Sequence, residues 1–598
     1  MDLFKKVNKD LLKIINNYVS DVQDAGKYLK NVNFVIPPSE TNSDYSTNAA
    51  MVLAKAKRKS PIIISEELAI LFRDVEYIKS VDTINGYINI VFDEKIWEDF
   101  LMDIVAEGSK YGDGEKREKV LLEFISANPT GPLHVGHCRG AILGLALANL
   151  KKKAGYDVTK EYYVNDYGVQ VNTLLKSVQF RYEQEFGNFV NENVPEGCYP
   201  GDYLVEYAKK LAKESGDKYV GLSEEEFYTK LKERVVEAMM DIIRDDLKLL
   251  GLEFDSFASE TKIAESGAIE RAVEKLAKKS KIVIDEDGNS KELSYVYEGI
   301  LDAPLGGKDN AEEEDVNSSK LPQTLFRSTL FGDDRDRVIV RSDGRTTYFA
   351  SDIAYHEDKV NRGYNNLINI FGADHGGYVK RLTAAVDAIS DGQASVDVQL
   401  CQMVNLEKNG VPFKMSKRKG TFVLLSDVAR EVNVNELKLF MLSKSPDTQM
   451  TFDLVKIKEA SKDNIVYYIQ YAYARTFSVL KKFSEVFGYE YNVDHMDFER
   501  LIKECPKIIK EIVVFLAKFP YIIRTSAEKN LPNQVVDYLN ELASKFHSLW
   551  GTNIRMVNSE DEQESRAMMA FVLSVQTVIQ NSLDCLGIEA EKVMTKNK

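Results

Sequence analysis

The feature that most constrains this chain is a strand, a turn and a helix read in one pass between residues 120 and 153. Val120–Ser126 is a short apolar run, Asn128-Pro129-Thr130-Gly131-Pro132 is a turn of Gly and Pro, and Cys138–Lys153 carries a long apolar helical pattern. A buried strand delivered through a Gly/Pro turn into a helix opens a doubly wound, parallel-sheet α/β domain. The same junction aims backbone N–H groups of a helix start outward, where phosphate binds well.

Strand signals return at Arg337–Arg341, Thr347–Phe349 and Asn366–Phe371. The last leads into a second Gly-rich turn, Gly372-Ala373-Asp374-His375-Gly376-Gly377. The stretch 180–330 reads as an insertion, with helical patterns over Glu224–Leu250 and Ala264–Lys279. Its acidic segment Asp309–Lys320 is expected to be a mobile loop. Residues 1–110 mix a helical period over Leu3–Val22 with strand alternation over Val81–Asp93, and Tyr111–Lys119 reads as a linker. From about residue 456 onward the pattern is helical. A length of 598 residues allows roughly four domains. The predicted architecture is multidomain α/β: a small α/β N-terminal domain (1–110), a doubly wound, Rossmann-like domain (118–400) with the insertion at about 180–330, a connecting segment (401–456) and an all-α C-terminal domain (457–598).

The balance of 78 Lys plus Arg against 93 Asp plus Glu gives a net charge of −15. That excludes a generally basic nucleic-acid coat but leaves room for local basic faces. Lys151–Lys153, Lys278–Lys281 and Lys481-Lys482 are the visible clusters. No apolar run reaches the ~18 residues of a membrane-spanning helix, and the N-terminus has no signal-peptide pattern. Five cysteines without a CxxC pair point to a reducing, cytoplasmic compartment rather than a disulfide framework.

Two motifs carry chemistry. In Pro132-Leu133-His134-Val135-Gly136-His137, the two histidines are expected on one face of a first helical turn. Gly136 leaves room for a nucleotide to approach the backbone. Both imidazoles can donate hydrogen bonds to phosphoryl oxygens whose charge shifts during displacement. Two other readings stand beside this: a structural histidine pair, and a metal site made of His134, His137 and Cys138. The second motif is Lys414-Met415-Ser416-Lys417-Arg418-Lys419-Gly420-Thr421, after a β-like run at Val398–Asn405. Its ammonium groups can neutralise a triphosphate and a leaving pyrophosphate, or the run is simply a solvated turn. No P-loop sequence is present.

HxGH early in an α/β domain with KMSK well downstream resembles the paired signature of class I aminoacyl-tRNA synthetases. The resemblance narrows to the arginyl-tRNA synthetase family around Glu123-Phe-Ile-Ser126-Ala-Asn128-Pro-Thr-Gly-Pro-Leu-His134-Val-Gly-His137. It continues in Tyr162-Tyr-Val-Asn165-Asp166-Tyr-Gly168, Phe331-Gly-Asp-Asp-Arg-Asp, Tyr348-Phe-Ala-Ser-Asp352-Ile-Ala-Tyr-His356 and Tyr467-Tyr468-Ile-Gln470-Tyr471-Ala472-Tyr-Ala474-Arg475. Asp44-Tyr45-Ser-Thr-Asn48 fits as well, so the matches run through nearly the whole chain. Gly131 occupies the place where some arginyl enzymes carry a compensating lysine, and Lys417 is present, so this chain resembles the ordinary KMSK type.

The resemblance implies a ligase that activates L-arginine with ATP to arginyl-adenylate and transfers arginine to the 3′ end of tRNA(Arg). Another class I synthetase, or an HxGH nucleotidylyltransferase, is the alternative. It implies catalysis by His134, His137, Lys414 and Lys417, with arginine held by Glu123, Asn128, Tyr348 and Asp352. ATP contacts are expected from Ser126, Gly136, His134, His137, His375 and Lys417. RNA contacts are expected from Tyr468, Tyr471 and Arg475 in an anticodon-binding domain, and the first ~110 residues would read the tRNA elbow. Mg²⁺ is expected with ATP, with no protein-bound metal. The protein would be a cytoplasmic monomer without a membrane partner, and 180–330 would not be an editing domain.

Overall fold

The computed structural model describes every residue except 1, 38–40, 42, 191, 285–288, 301–320, 413–422, 460–463, 505 and 594–598. The acidic segment Asp309–Lys320 and the motif lysines Lys414 and Lys417 therefore lie outside the described residues. The chain divides into two compact units, Lys116–Glu459 and a second made of Met1–Glu115 with Ala460–Lys598.

The first unit is built on a five-stranded, wholly parallel sheet. Its spatial order is Ser395–Cys401, Asn366–Gly372, Lys119–Phe124, Asp157–Val164, Ser256–Ser259. Val120, Leu121, Leu122 and Phe124 in the central strand are all buried, as both-face burial in a parallel sheet demands. Strand order reverses between Lys119–Phe124 and Asn366–Gly372. The carboxyl ends of those two strands form the crevice where ligands bind in such sheets. The helix Val135–Lys153 packs on the central strand at Gly144, where an added Cβ would meet the Phe124 ring at 2.1 Å. Only glycine allows that approach.

Three expectations need correction. The 180–330 stretch is not an uninterrupted insertion, because Ser256–Ser259 is an edge strand of the main sheet. Its Ser-Phe-Ala-Ser sequence lacks the apolar run that marks a buried strand. Thr347–Phe349 is not a strand: Thr347 is the N-cap of the helix Tyr348–Asn361, its side chain accepting from the Ala350 N–H. The β-branched and aromatic residues there masked a capping signal. The single helix read over Ala264–Lys279 is two, Glu260–Glu265 and Ala268–Ala277, broken at Gly267 in a left-handed conformation.

In the second unit, a four-stranded antiparallel sheet and helices such as Leu3–Tyr18 and Pro61–Arg73 form the N-terminal part. A helical bundle runs from Ile465 to Cys585. The two parts share one core. Tyr111, expected in a linker, is fully buried, stacks on Phe519 at 5.8 Å and donates to the Leu516 carbonyl at 3.2 Å. Asn581 donates to the carbonyls of Gly108 (2.8 Å) and Tyr111 (3.1 Å). Among the described residues no helix is long and apolar enough to cross a membrane.

Candidate active site

The loop after the central strand starts in strain. Ile125 (φ 70°) and Ser126 (φ 41°) are both left-handed without being glycine, a conformation that costs energy and clusters at functional sites. The kink turns the Ser126 hydroxyl back to donate to Glu123 Oε1 at 3.2 Å, while its oxygen accepts the Tyr163 N–H at 3.1 Å. Ser126, expected to contact ATP, thus has its hydroxyl engaged beside Glu123.

Six residues after Asn128 the loop enters its helix, and His134 is the N-cap. Its Nδ1 accepts the Gly136 N–H at 3.1 Å, and His137 Nδ1 accepts the His134 N–H at 3.3 Å. The rings stack at 3.8 Å. Each Nδ1 acts as an acceptor, so each neutral ring carries its proton on Nε2. Burial, with His134 alongside, pushes the His137 imidazole down to about 3. The pair thus presents two Nε2–H donors, and the His137 ring stays neutral over the working pH range. An added Cβ at Gly136 would sit 2.7 Å from the His134 ring. Cys138 faces the core, where burial pushes its thiol up to about 12, which disfavours the thiolate a metal ligand needs.

The histidine turn is tied to the segment that follows the second motif. The Val135 N–H donates to the Val423 carbonyl (3.0 Å) and the Leu425 N–H to the Leu133 carbonyl (2.9 Å). Buried Asp246 accepts the Leu133 N–H at 2.8 Å. Arg139, one turn along the helix, donates to the carbonyls of Gln402, Ser445 and Thr448. Asn128, His134 and His137 share a cleft of about 990 Å³ with Tyr199, Tyr203 and Lys408, none of which the sequence reading singled out. Tyr203 donates to the Thr130 carbonyl at 2.6 Å.

A second cluster gathers beside Glu123. The helix Tyr348–Asn361 starts with exposed Tyr348 and carries part-buried Asp352 one turn later, which puts the two on one face. Tyr378 donates to Asp352 Oδ2. Burial, with Glu123 and Glu260 near, pushes the Asp352 carboxyl up to about 8. Glu123 is buried; its Oε2 accepts from Lys359 Nζ at 2.6 Å and from Asn369 Nδ2 at 3.2 Å. Sequence reasoning missed Lys359, although its position seven residues after Asp352 places both on one helix face. His375 is exposed in the short turn Ala373–Tyr378, 5.8 Å from the Phe371 ring, and lies outside the lining of the cleft.

In the second unit, Tyr468, Tyr471 and Arg475 lie on the helix Ile465–Phe487. The Arg475 guanidinium sits between the rings of Tyr471 (4.4 Å) and Trp550 (4.1 Å), donates to the Tyr471 hydroxyl at 2.9 Å, and is 2.8 Å from His547 Nδ1. Tyr471, Arg475, Lys482 and Trp550 line a hollow of about 590 Å³. Lys151, by contrast, is buried with its ammonium 4.6 Å from the Tyr156 ring, so it belongs to no RNA face.

A parallel sheet of this order, with a histidine pair at the helix start beside its switch point, is the architecture of the class I aminoacyl-tRNA synthetases. Models of the arginyl tRNA synthetase N-terminal domain (residues 9–92), the class I (R) tRNA synthetase catalytic domain (101–294) and the DALR anticodon binding domain (469–594) all match. The arginine–tRNA ligase of Roseobacter denitrificans is 41% identical, covering 99% of this chain and 100% of that one. That of Rickettsia bellii is 38% identical, covering 98% and 99%. The Thermus thermophilus arginyl-tRNA synthetase shares the fold at a TM-score of 0.69 and 19% identity, over 95% of this chain and 98% of that one. The Plasmodium falciparum enzyme does so at 0.68 and 14%, over 99% of each. The chain belongs to the arginyl-tRNA synthetase family.

Proposed function

We propose that the two clusters are the two ends of one reaction site, with the arginine guanidinium at Glu123, Tyr348 and Asp352 and the ATP phosphates at His134 and His137. The chain is an arginine–tRNA ligase: it activates L-arginine with ATP to arginyl-adenylate, then passes arginine to the 3′ end of tRNA. The observation that carries the assignment of ends is the contrast within one loop. Glu123 opens it beside a second carboxyl, and the two Nε2–H donors of His134 and His137 close it.

In this reading the arginine carboxylate attacks the α-phosphorus in line. His134 and His137 hold the oxygens whose charge rises in the transition state, and Asn128 takes the α-amino or carboxylate end. Gly136 lets the nucleotide approach the helix start, and His375 serves the adenosine side. Lys414 and Lys417 hold the β- and γ-phosphates on the second motif. No protein nucleophile is needed, because positioning and electrostatics suffice. Mg²⁺ enters with ATP as part of that substrate; among the described residues no group of three or more His, Cys, Asp or Glu side chains could hold an ion.

Tyr468, Tyr471 and Arg475 are assigned to the anticodon loop; the exposed rings of Tyr471 and Trp550 around the Arg475 cation support this, since unstacked bases settle on such surfaces, while Tyr468 is half-buried beside them. The N-terminal part reads the tRNA elbow. No editing activity is assigned to the 180–330 stretch, whose Ser256–Ser259 strand extends the main sheet. We take the protein to act as a monomer. Free thiols at Cys138, Cys198, Cys401 and Cys585 support the cytoplasm. The test is charging of tRNA(Arg) by the purified protein with ATP and each of the twenty amino acids. Arginine alone should be transferred, and charging with another amino acid in its place would overturn the assignment.

A further inference from the structure

Lys359 is a sealed ammonium paired with Glu123, one of the carboxylates assigned to arginine. It is 0% exposed, and its Nζ lies 2.6 Å from Glu123 Oε2, 3.5 Å from His356 Nε2 and 4.1 Å from the centre of the Tyr355 ring. The surrounding network holds it in one place. His356 Nδ1 donates to the Asp352 carbonyl at 2.8 Å, which leaves Nε2 as an acceptor. Asn369 then donates both to that Nε2 (3.1 Å) and to Glu123 Oε2 (3.2 Å). The imidazole adds no charge, because burial holds it neutral.

We propose that Lys359 is a positioning residue of the arginine pocket: paired with Glu123 from within the core, it aims that carboxylate at the ligand and supplies the counter-charge of the acidic cluster, without touching the substrate. The inference rests on the arginine reading given above. With Oε2 of Glu123 taken by Lys359 and Asn369, Oε1 is the oxygen left to face a ligand, steadied by Ser126. Sealing one fixed cation under the pocket also lets the protein keep Glu123, Glu260 and Asp352 close together before arginine binds. The charged and titratable groups facing Asp352 come from every neighbouring element. Glu123 is on the central strand, Tyr163 on the next strand, Glu260 on the helix Glu260–Glu265, Lys359 on its own helix, and Tyr378 and Arg381 lie at and after the second Gly-rich turn. Among them Glu123 and Glu260 oppose ionisation of Asp352, while Lys359 and Arg381 favour it.

The test is the pH dependence of arginine binding to the full-length enzyme, measured by equilibrium dialysis of labelled arginine between pH 6 and 9. Ionisations of arginine itself are common to all variants and cancel. Lys359→Met should move the midpoint up by about one pH unit, the size expected when one nearby charge is removed. Glu123→Gln should move it down, and the double variant should return it towards the wild-type value. If Lys359→Met alone does not fold, the comparison of Glu123→Gln with the double variant carries the test, the added Lys359→Met again raising the midpoint. Unmoved midpoints across the series, with arginine still bound, would overturn the role of Lys359. Failure of the wild type to bind arginine at any pH would instead overturn the arginine reading.

Discussion

The two ends of the site are built by different kinds of contact. At the histidine end the partners are close in sequence: His134 caps its own helix, Gly136 donates to it, and His137 reaches back three residues. At the acidic end they are far apart: Glu123 meets Lys359 across 236 residues and Asn369 across 246. Local contacts form with the helix, whereas the acidic end exists only once the sheet and the Tyr348 helix have docked. At the histidine end burial also keeps the His137 ring neutral. The acidic end concentrates like charge and relies on an internal cation and on its ligand to relieve it.

That contrast can be broken at either end. His137→Ala should have the largest effect, lowering kcat for adenylate formation by roughly 100- to 1,000-fold, the range for removing one transition-state donor. Arginine affinity should be unchanged. If binding and kcat fall together in pre-steady-state assays, the two ends are not separable. Asp352→Asn comes next. It keeps the shape and removes the charge, and a lost charge-assisted hydrogen bond of about 1.5–3 kcal/mol raises the arginine KM roughly 10- to 150-fold. The ATP KM should stay put, and a fall in melting temperature with unchanged KM would make Asp352 structural.

The smallest expected effect is set by pH. The Asp352 carboxyl is pushed up to about 8 in the folded protein, so it keeps a proton that the unfolded chain releases near pH 4. The stability this proton contributes is complete below about pH 4 and is lost as pH rises towards 8. A guanidinium favours the ionised form, so arginine binding releases the proton. Affinity should therefore tighten by up to about tenfold per pH unit below 8 and level off above it. Arginine should also protect against thermal unfolding more at pH 8.5 than at pH 6.5. A flat affinity profile in calorimetry would show that Asp352 is already ionised in the empty enzyme.

The same contrast explains what could be read from sequence. Val120–Phe124, the Gly/Pro turn and His134-x-x-His137 are local patterns, and the fold places them as a central strand, a loop and a capped helix start. Tyr348 and Asp352 were legible only through the family resemblance, because the residue types at Thr347–Phe349 read as strand and hide the capped helix start. Lys359 was not, because a lysine late in a helix ordinarily faces water, and nothing near it in sequence announces Glu123. Ser256–Ser259 escaped notice for the opposite reason: an edge strand buries too little to need an apolar run. Tyr111 was hidden inside a charged stretch whose one aromatic residue fills the core shared by the N-terminal part and the helical bundle.

The central claim is that paired carboxylates read the charge of the guanidinium. Citrulline has nearly the same shape as arginine but replaces the guanidinium with a neutral urea group. The direct measurement is kcat/KM for arginine and for citrulline in tRNA-supported pyrophosphate exchange, with the wild-type enzyme and with Asp352→Asn. A site built on buried charge should reject the neutral isostere by roughly 10⁴-fold, and Asp352→Asn should narrow that ratio by lowering activity with arginine alone. Comparable kcat/KM for the two amino acids on the wild-type enzyme would contradict the account.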